Sequence, residues 1–294
     1  MAVSRRRLTL ALCLTPGIGS KTVNRILTRN DLLSRSADDF IKLGAESLRE
    51  EYRMKQTAAA RWVGDREKWL KEAEEVEQVL EPKGVRVVTA TDANYPRQLE
   101  TFDPDPPGIL YVYGNQKLLG ADLFCVLASR GASDEVLAEI EKRTEEGVLA
   151  GKVLVSGHDT PEYQRSAVTC LRWGAPRIMV LDTGFFAALG EDLKDEPFAS
   201  ARLWRFEFDE RTDLAISAVH PLRTYHRNSN RIRDRIIGGL SFRIDCVWAQ
   251  PGGNMEKMAR MGLRSGRQVT VSSISPTYES LCSAGAEPIA QIAR

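Results

Sequence analysis

Short apolar runs rich in β-branched residues alternate with helical stretches after residue 84, and this alternation constrains the fold most. The predicted strands lie at 85–89, 109–113, 123–128, 152–155, 177–181, 203–208, 244–248 and 268–271. Most of these runs are apolar throughout, as strands buried on both faces of a parallel sheet require. Helices are predicted between several of them, at 133–146, 160–173, 226–238 and 254–264. The pattern predicts an α/β fold, with a Rossmann-like open, mostly parallel sheet flanked by helices.

The first eighty residues predict helices only. Two short helices are expected at 8–14 and 20–29, and the segment 56–80, rich in Ala, Glu, Lys and Arg without proline, predicts one long exposed helix. Pro82 and Gly84 end that helix. We therefore expect a small all-helical domain at 1–82 and a sheet-containing domain at 83–294.

Composition excludes several classes of protein. The longest uncharged stretch, 8–20, has 13 residues, whereas a membrane-spanning helix needs about 20. The apolar run after Arg5, Arg6 and Arg7 lacks a signal-peptide cleavage site. The five cysteines form no C-x-x-C pair and the three histidines have no metal-ligand spacing. We expect a cytoplasmic protein with no membrane association, no metal and no cofactor.

Two glycines flank an aliphatic residue between the first two predicted helices. Gly17, Ile18 and Gly19 precede Ser20 and Lys21, as in a helix-hairpin-helix. In that interpretation Gly17, Gly19, Ser20 and Lys21 hold a phosphate at the free N–H groups of the second helix. The alternative is a tight corner between helices that serves packing alone.

The strongest local charge lies between residues 222 and 243. This segment carries six arginines and one acid, a net charge of +5, whereas the whole chain has +1. On a helix Arg227, Arg231 and Arg235 share one face, and Asn228 and Asn230 add neutral donors. Because guanidinium groups bind phosphate oxygens as bidentate forks, this face is a candidate phosphate site. The alternative is a solvated face or an internal network of ion pairs.

Three predicted strands end in loops of small and polar residues. The loop residues concerned are Ser129, Arg130, Ser156, Gly157, Gly252, Gly253 and Asn254. Ligands of open parallel sheets collect at the carboxyl ends of the strands, and helix N-termini attract anions. If the three loops converge, they form a phosphate-binding crevice.

A series of short motifs keeps one order from about residue 95 to 289. The motifs are Tyr-Pro-Arg-Gln-Leu at 95–99, Asp-Pro-Pro-Gly-Ile-Leu-Tyr at 105–111, Ala-Ser-Arg at 128–130, Ser-Gly at 156–157, Arg-Asp-Arg-Ile-Ile-Gly-Gly-Leu-Ser at 233–241 and Gly-Arg-Gln-Val at 266–269. Together they resemble the DprA/Smf DNA-processing family. The resemblance implies non-catalytic binding of single-stranded DNA in DNA processing and recombination, a homodimer, and RecA as a partner.

The resemblance also implies where DNA binds. By position, a positively charged pocket is lined by Ser129, Arg130, Ser156, Gly157, Arg233 and Arg235. Because single-strand binding combines such a groove with aromatic stacking, Tyr225 and Phe242 are candidates for stacking, although both also suit core positions. The helix-hairpin-helix fits the helical N-terminal domain that such proteins often carry.

The sequence departs from the family pattern in the pocket. Asp234 replaces an asparagine, which places a carboxylate where phosphate is expected, and Asn228 or Asn230 is its candidate substitute. The glycine-rich loop after Gly157 lacks its other glycines and its arginine. The departures suggest a divergent member, such as the antitoxin of a phage-defence pair of the ShosA type with a phosphoribosyltransferase-like toxin.

Two other classes of function remain open. The Pro-Gly-Gly-Asn loop at 251–254 resembles the phosphate loop of a related nucleotide-processing branch, in which Glu256 and His158 are acid–base candidates for N-glycosidic hydrolysis. A scaffold that binds a protein, such as a toxin, is the other alternative. The feature that separates scaffold from DNA binder is whether the arginines at 227–235 are free or paired internally.

Overall fold

The structure is a computed structural model that describes residues 2–224 and 228–289. The chain divides into two compact units. The first contains Met1–Tyr95 and Pro107–Leu110, and the second contains Pro96–Pro106 and Tyr111–Arg294.

The first unit is mainly helical. Its elements are α1 (Arg5–Leu14), α2 (Ser20–Leu32), α3 (Ala37–Ile41), α4 (Ala45–Glu50), α5 (Gln56–Leu80) and the strand β1 (Arg86–Thr89). The predicted bounds of α5 are confirmed, but the expectation that it is exposed is wrong, since Trp62, Trp69 and Leu80 are buried. Its apolar residues recur at helical spacing, so one face packs inward.

The second unit is built on a sheet. Its elements are α6 (Gln98–Phe102), β2 (Ile109–Gly114), a 3₁₀ helix (Gln116–Gly120), β3 (Leu123–Ala128), α7 (Asp134–Leu149), β4 (Val153–Ser156), α8 (Pro161–Trp173), β5 (Arg177–Leu181), α9 (Phe185–Leu189), α10 (Ala199–Leu203), β6 (Leu214–Ser217), α11 (Ser229–Leu240), β7 (Arg243–Trp248), α12 (Asn254–Arg264), β8 (Gln268–Val271), α13 (Tyr278–Cys282) and β9 (Glu287–Pro288). The strands follow the order β2-β6-β5-β4-β3-β7-β8-β9. The β2–β6 pair is antiparallel and the others are parallel. The predicted Rossmann-like α/β fold is confirmed.

Two strand predictions need correction. The run at 203–208 is not a strand, because α10 ends at Leu203 and a turn follows, which leaves Leu203 84% and Trp204 79% exposed. The strand β6 was not predicted, because Ile216 is the single β-branched residue among its four. It is buried throughout and lies between β2 and β5.

The strand order reverses at β3, and this reversal positions the site. The chain passes from β3 to β4 and β5 on one side, whereas β7 and β8 lie on the other. The carboxyl ends of β3, β4 and β7 therefore meet at a topological switch point. Cys125, Cys170 and Cys246 are buried, and burial raises the pKa of each thiol to about 12, so these cysteines behave as small hydrophobes.

Candidate functional site

A cavity of about 320 Å³ opens at the carboxyl ends of β3 and β7, and we call it the switch-point cavity. Its lining residues are Ala128, Ser129, Arg130, Thr160, Tyr163, Asn230, Arg231, Arg233, Asp234, Gln250, Gly253, Asn254 and Met255. They come from the loops after β3, β4 and β7 and from the helices α8, α11 and α12. The three loops singled out in the sequence thus converge.

Many of the predicted site residues line this cavity, and others do not. The structure brings together Ser129, Arg130, Asn230, Arg231, Arg233, Gly253 and Asn254. The lining of the described part of the cavity does not include Ser156, Gly157, Asn228, Arg235 or Gly252. Arg227 and Tyr225 lie outside the described residues.

Arg233 forms the charged floor of the cavity. Its side chain is 2% exposed and pairs with three carboxylates, those of Asp159, Asp182 and Asp234. Burial alone lowers the pKa of Arg233, but its interactions with Tyr163, Asp234 and Asp159 outweigh burial and raise it. We call Arg233 and the three aspartates the Arg233 cluster. Because these three carboxylates already pair with its guanidinium, Arg233 shapes the cavity and is not free to bind a phosphate.

Asp234 does not project a bare carboxylate to an incoming phosphate, contrary to the sequence-based expectation. Its side chain is 5% exposed, and one oxygen accepts hydrogen bonds from Arg233 and from the Tyr163 hydroxyl at 2.9 Å. The other oxygen accepts from the Asn254 amide at 2.7 Å. Burial raises the pKa of Asp234, against the opposing charge of Arg233. The carboxylate thus holds α11, α8 and α12 together.

Tyr163 is a site residue that the sequence reasoning missed. Its buried ring lies 4.9 Å from the Arg233 guanidinium carbon and lines the cavity. Gly157 permits this packing, because a Cβ there would lie 2.8 Å from the ring. The Ser156 hydroxyl donates to the Tyr163 carbonyl at 3.3 Å. Ser156 and Gly157 therefore position the floor. The only sequence signal for Tyr163 is its place in the first turn after Thr160 and Pro161, which begin α8.

The rim of the cavity carries exposed cations. The Arg130 side chain is 67% exposed and donates to Asp159 at 2.8 Å. Arg231 is exposed, and its side chain has no hydrogen-bond or ion-pair partner among residues 2–224 and 228–289. Together with the Arg233 cluster, the site has three arginines and three aspartates, so its formal charges sum to zero. The aspartates lie deeper in the protein, whereas Arg130 and Arg231 face solvent.

Backbone contacts fix the loops around the cavity. The Ser129 hydroxyl accepts from the Gln250 N–H at 3.0 Å and joins the loops after β3 and β7. The Ala132 N–H donates to Glu162 at 3.0 Å, which ties the β3 loop to α8. The first turn of α12 has no side-chain cap, and Gly253, Asn254 and Met255 line the cavity. An uncapped helix N-terminus of this kind attracts anions.

Several predicted residues lie elsewhere. Arg227, Arg231 and Arg235 were predicted to share one face of a helix. The helix α11 begins at Ser229, so it includes Arg231 and Arg235, and Arg227 precedes it in the chain. Arg235 lies 3.4 Å from Asp103 and lines a different cavity. Asn228 is the exposed residue before α11 and has a left-handed backbone with φ of 71°. Phe242 precedes β7 at the amino end of the sheet, 5.4 Å from the Arg267 guanidinium, so it cannot stack on a base in the switch-point cavity.

Glu256 and His158, the acid–base candidates for N-glycosidic hydrolysis, make contacts within the protein. Glu256 accepts from the Gly252 N–H at 2.6 Å and from Arg260 at 2.9 Å, and the Gly252 bond lowers its pKa. It is therefore ionised at neutral pH and unable to donate a proton. The His158 Nε2 lies 3.2 Å from Asp182. Neither Glu256 nor His158 is among the residues that line the described part of the cavity.

The glycine corner between α1 and α2 is a tight turn. Gly17 has φ of +92°, and Gly19 precedes α2 without a side-chain cap. The Pro16 carbonyl accepts from Arg61 at 2.9 Å. Phosphate contact by Gly17, Gly19, Ser20 and Lys21 stays a prediction, as does the helix-hairpin-helix assignment.

None of the described helices combines the length and the apolar character needed to cross a membrane. In the same part of the chain, groups of three or more His, Cys, Asp or Glu side chains arranged to hold a metal ion were not found.

Comparisons with known proteins point to one family. The model of the DNA recombination-mediator protein A family matches residues 86–293. The fold resembles DNA processing protein A from Streptococcus pneumoniae, with a TM-score of 0.73 and 18% identity over 98% of this chain and 95% of that one. It also resembles DNA processing protein A from Helicobacter pylori, described for its unique single-stranded DNA binding mode, with a TM-score of 0.55 and 18% identity over 71% of this chain and 94% of that one. No curated protein matches the sequence.

Proposed function

The chain belongs to the DNA recombination-mediator protein A family, and we propose that it binds single-stranded DNA in the switch-point cavity without catalysis. One observation carries the proposal. Two exposed arginines, Arg130 and Arg231, stand above a buried floor whose charges are already paired. The single-stranded DNA binding mode described for the Helicobacter pylori protein supports the choice of ligand.

The rim arginines suit a phosphate for different reasons. Arg231 has a guanidinium with no partner to give up among the described residues. Arg130 shares Asp159 with Arg233, so it can turn to a phosphate while that carboxylate keeps its buried partner. Exchange of one exposed ion pair for another costs little, because exposed pairs contribute about 0–1 kcal/mol. The N-terminus of α12 adds N–H groups to the lining of the cavity.

Binding of this kind has little base specificity. Contacts to phosphate position a strand but carry no direct sequence information. Each phosphate neutralised on a single strand contributes about −0.7 to the log–log salt slope, so two rim arginines account for about −1.4. The polar groups of Asn230 and Gln250 are the nearest candidates for contacts to bases.

The cellular context that we propose is DNA processing and recombination. The homodimer, the RecA partner and a cognate phosphoribosyltransferase-like toxin in phage defence stay predictions. The scaffold alternative required the arginines at 227–235 to be paired internally. Among the described ones Arg233 is fully paired and Arg235 faces Asp103, whereas Arg231 is free of partners, which favours a DNA-binding role for Arg231.

The test is the binding of a fluorescent oligothymidylate across a salt series. We expect R130A/R231A to bind at least tenfold more weakly at low salt, with a slope shallower by about 1.4. The matched control is Lys142→Ala, which removes an exposed cation of α7 outside the cavity. Folded wild-type protein that fails to bind at low salt would contradict the proposal, and so would equal losses in R130A/R231A and the control.

A further inference from the structure

A second cavity, of about 430 Å³, lies between α6, α11 and α12, and we call it the α6–α12 cavity. Its lining residues are Thr101, Phe102, Asp103, Pro104, Arg235, Lys257, Met261, Arg264 and Ser265. All of them belong to the second unit. The volume falls in the range of small-molecule sites, about 300–1,000 Å³.

Three cations meet at the rim of this cavity, against one acid. Arg235, Lys257 and Arg264 are exposed. Within the described residues the Lys257 ammonium has no ion-pair or hydrogen-bond partner, and the Arg264 side chain donates from Nε to the Arg260 carbonyl at 3.3 Å. Asp103 is buried, lies 3.4 Å from Arg235 and accepts from the Asp105 N–H at 2.9 Å. The single carboxylate is thus engaged at depth, and the exposed charge is positive.

The floor of the cavity is apolar. Phe102 and Met261 line it, and the exposed Pro104 adds an apolar edge. Close packing of three helices builds it, because a Cβ on Gly238 of α11 would lie 2.6 Å from both Met258 of α12 and Phe102 of α6. The glycine in the motif at 233–241 therefore permits the approach that forms the cavity. An apolar floor beneath a cationic rim matches a nucleotide, which has a planar base at one end and a phosphate at the other.

The α6–α12 cavity continues from the switch-point cavity along the same two helices. Arg231 lines the switch-point cavity and Arg235 lines the α6–α12 cavity. They are one helical turn apart, about 6 Å along α11. On α12, Met255 lines the first cavity and Lys257 the second. A strand that leaves the first cavity along the two helices reaches the second without crossing the sheet.

We propose that the α6–α12 cavity is a second nucleotide subsite for the same single strand. Arg235, Lys257 and Arg264 bind its phosphates, and a base lies against Phe102 and Met261. This inference rests on the proposed function, and it adds the path of the bound strand, which runs from the switch-point cavity along α11 and α12.

A length series of oligothymidylates tests the subsite. The shortest oligomer, about four nucleotides, fills the switch-point cavity, and a longer one of about twelve reaches both. We expect K257A/R264A to bind the short oligomer as wild type does and the long one about tenfold more weakly, with a salt slope shallower by about 1.4. The control is again Lys142→Ala, expected to match wild type at both lengths.

The outcomes separate the two proposals. If wild type gains affinity with length and K257A/R264A loses that gain, the subsite is supported. If both proteins bind each oligomer equally, the subsite is wrong while DNA binding stands. Wild-type protein that binds no oligomer at low salt overturns the proposed function and the subsite together, and a cationic surface for an acidic protein becomes the next hypothesis.

Discussion

Two buried arginines of the second unit show what separates a structural ion cluster from a binding site. Arg177, at the start of β5, is 0% exposed and pairs with Glu196 and with Asp213 at 3.0 Å, and we call these three residues the Arg177 cluster. The Arg233 cluster has the same chemistry, with one guanidinium among several carboxylates, but it forms the floor of an open cavity below exposed arginines. Both buried guanidiniums are already paired with carboxylates of the protein. Ligand binding therefore depends on the exposed arginines near the Arg233 cluster, Arg130 and Arg231.

The carboxylates of the two clusters also differ. Burial raises the pKa of Glu196 and of Asp213, although Arg177 opposes the shift. Burial also acts to raise the pKa of Asp182, but the His158 Nε2, 3.2 Å away, and the charge of Arg233 outweigh it, so this pKa is lowered. The pKa of Asp234 is raised by burial, as in the Arg177 cluster. Asp182 and Glu196 therefore contribute to stability in opposite ways as pH changes.

The largest expected effect is that of Arg177→Met on stability. The change leaves two buried carboxylates without their cation, and breaking a buried pair costs about 3–5 kcal/mol. Urea denaturation measures the loss. The folded fraction is expected to bind oligothymidylate as wild type does, since Arg177 lies outside the lining of the described cavities. A loss below about 1 kcal/mol would contradict the structural role.

Arg233→Met is expected to affect both stability and binding. Asp159 is 19% exposed, so solvent relieves part of the lost pairing and the free energy of unfolding falls by about 2 kcal/mol. Asp159 keeps its ion pair with Arg130. The Asp234 carboxylate, which lines the switch-point cavity, has then lost its cation and repels phosphate, so binding is expected to be lost. Arg233→Lys serves as the control, because it keeps the charge and restores part of the affinity. Binding equal to wild type in Arg233→Met would remove the distinction between the two clusters.

The smallest expected effect is a difference in pH dependence. Asp182 has a lowered pKa when folded, so it stabilises above its unfolded pKa of about 3.9, and that contribution is lost as pH falls through the folded pKa. Glu196 has a raised pKa, so its contribution is present at low pH and is lost as pH rises through the folded pKa. In urea titrations between about pH 3.5 and 6.5, the loss caused by Asp182→Asn should grow with pH, whereas the loss caused by Glu196→Gln should shrink. Slopes of the same sign would contradict the assignment.

Much of the fold was predictable because burial leaves a direct trace in sequence. The strand β3 is a continuous apolar run and β5 is apolar after Arg177, and the bounds of both agree with the prediction. The failures have the same cause. Leu203 and Trp204 are apolar yet exposed, so their run resembles a strand, whereas β6 contains a single β-branched residue and does not stand out.

The loops that form the site were predictable from the sequence, but the ion pairs of Arg233 were not. Strand order brings the loops after β3, β4 and β7 together, and Ser129, Arg130 and Asn254 line the cavity as the pattern suggested. The local charge of +5 did not reveal that Arg233 is buried. The helical period contained that signal, since Arg233 precedes the buried Ile237 and Leu240 by four and seven residues. Its partners Asp159 and Asp182 are distant in the chain, and a single sequence does not show such contacts.

The most direct test of the central claim is to map where single-stranded DNA lies. An oligothymidylate containing 4-thiothymidine is bound at low salt, irradiated and located by mass spectrometry of the crosslinked peptides. Crosslinks are expected in the peptides that carry the β3 loop at 129–133, the start of α11 at 228–231 and the start of α12 at 253–255, and they should disappear in R130A/R231A. Crosslinks confined to other surfaces, with these three segments unlabelled in a protein that binds the oligomer, would contradict the assignment of the switch-point cavity.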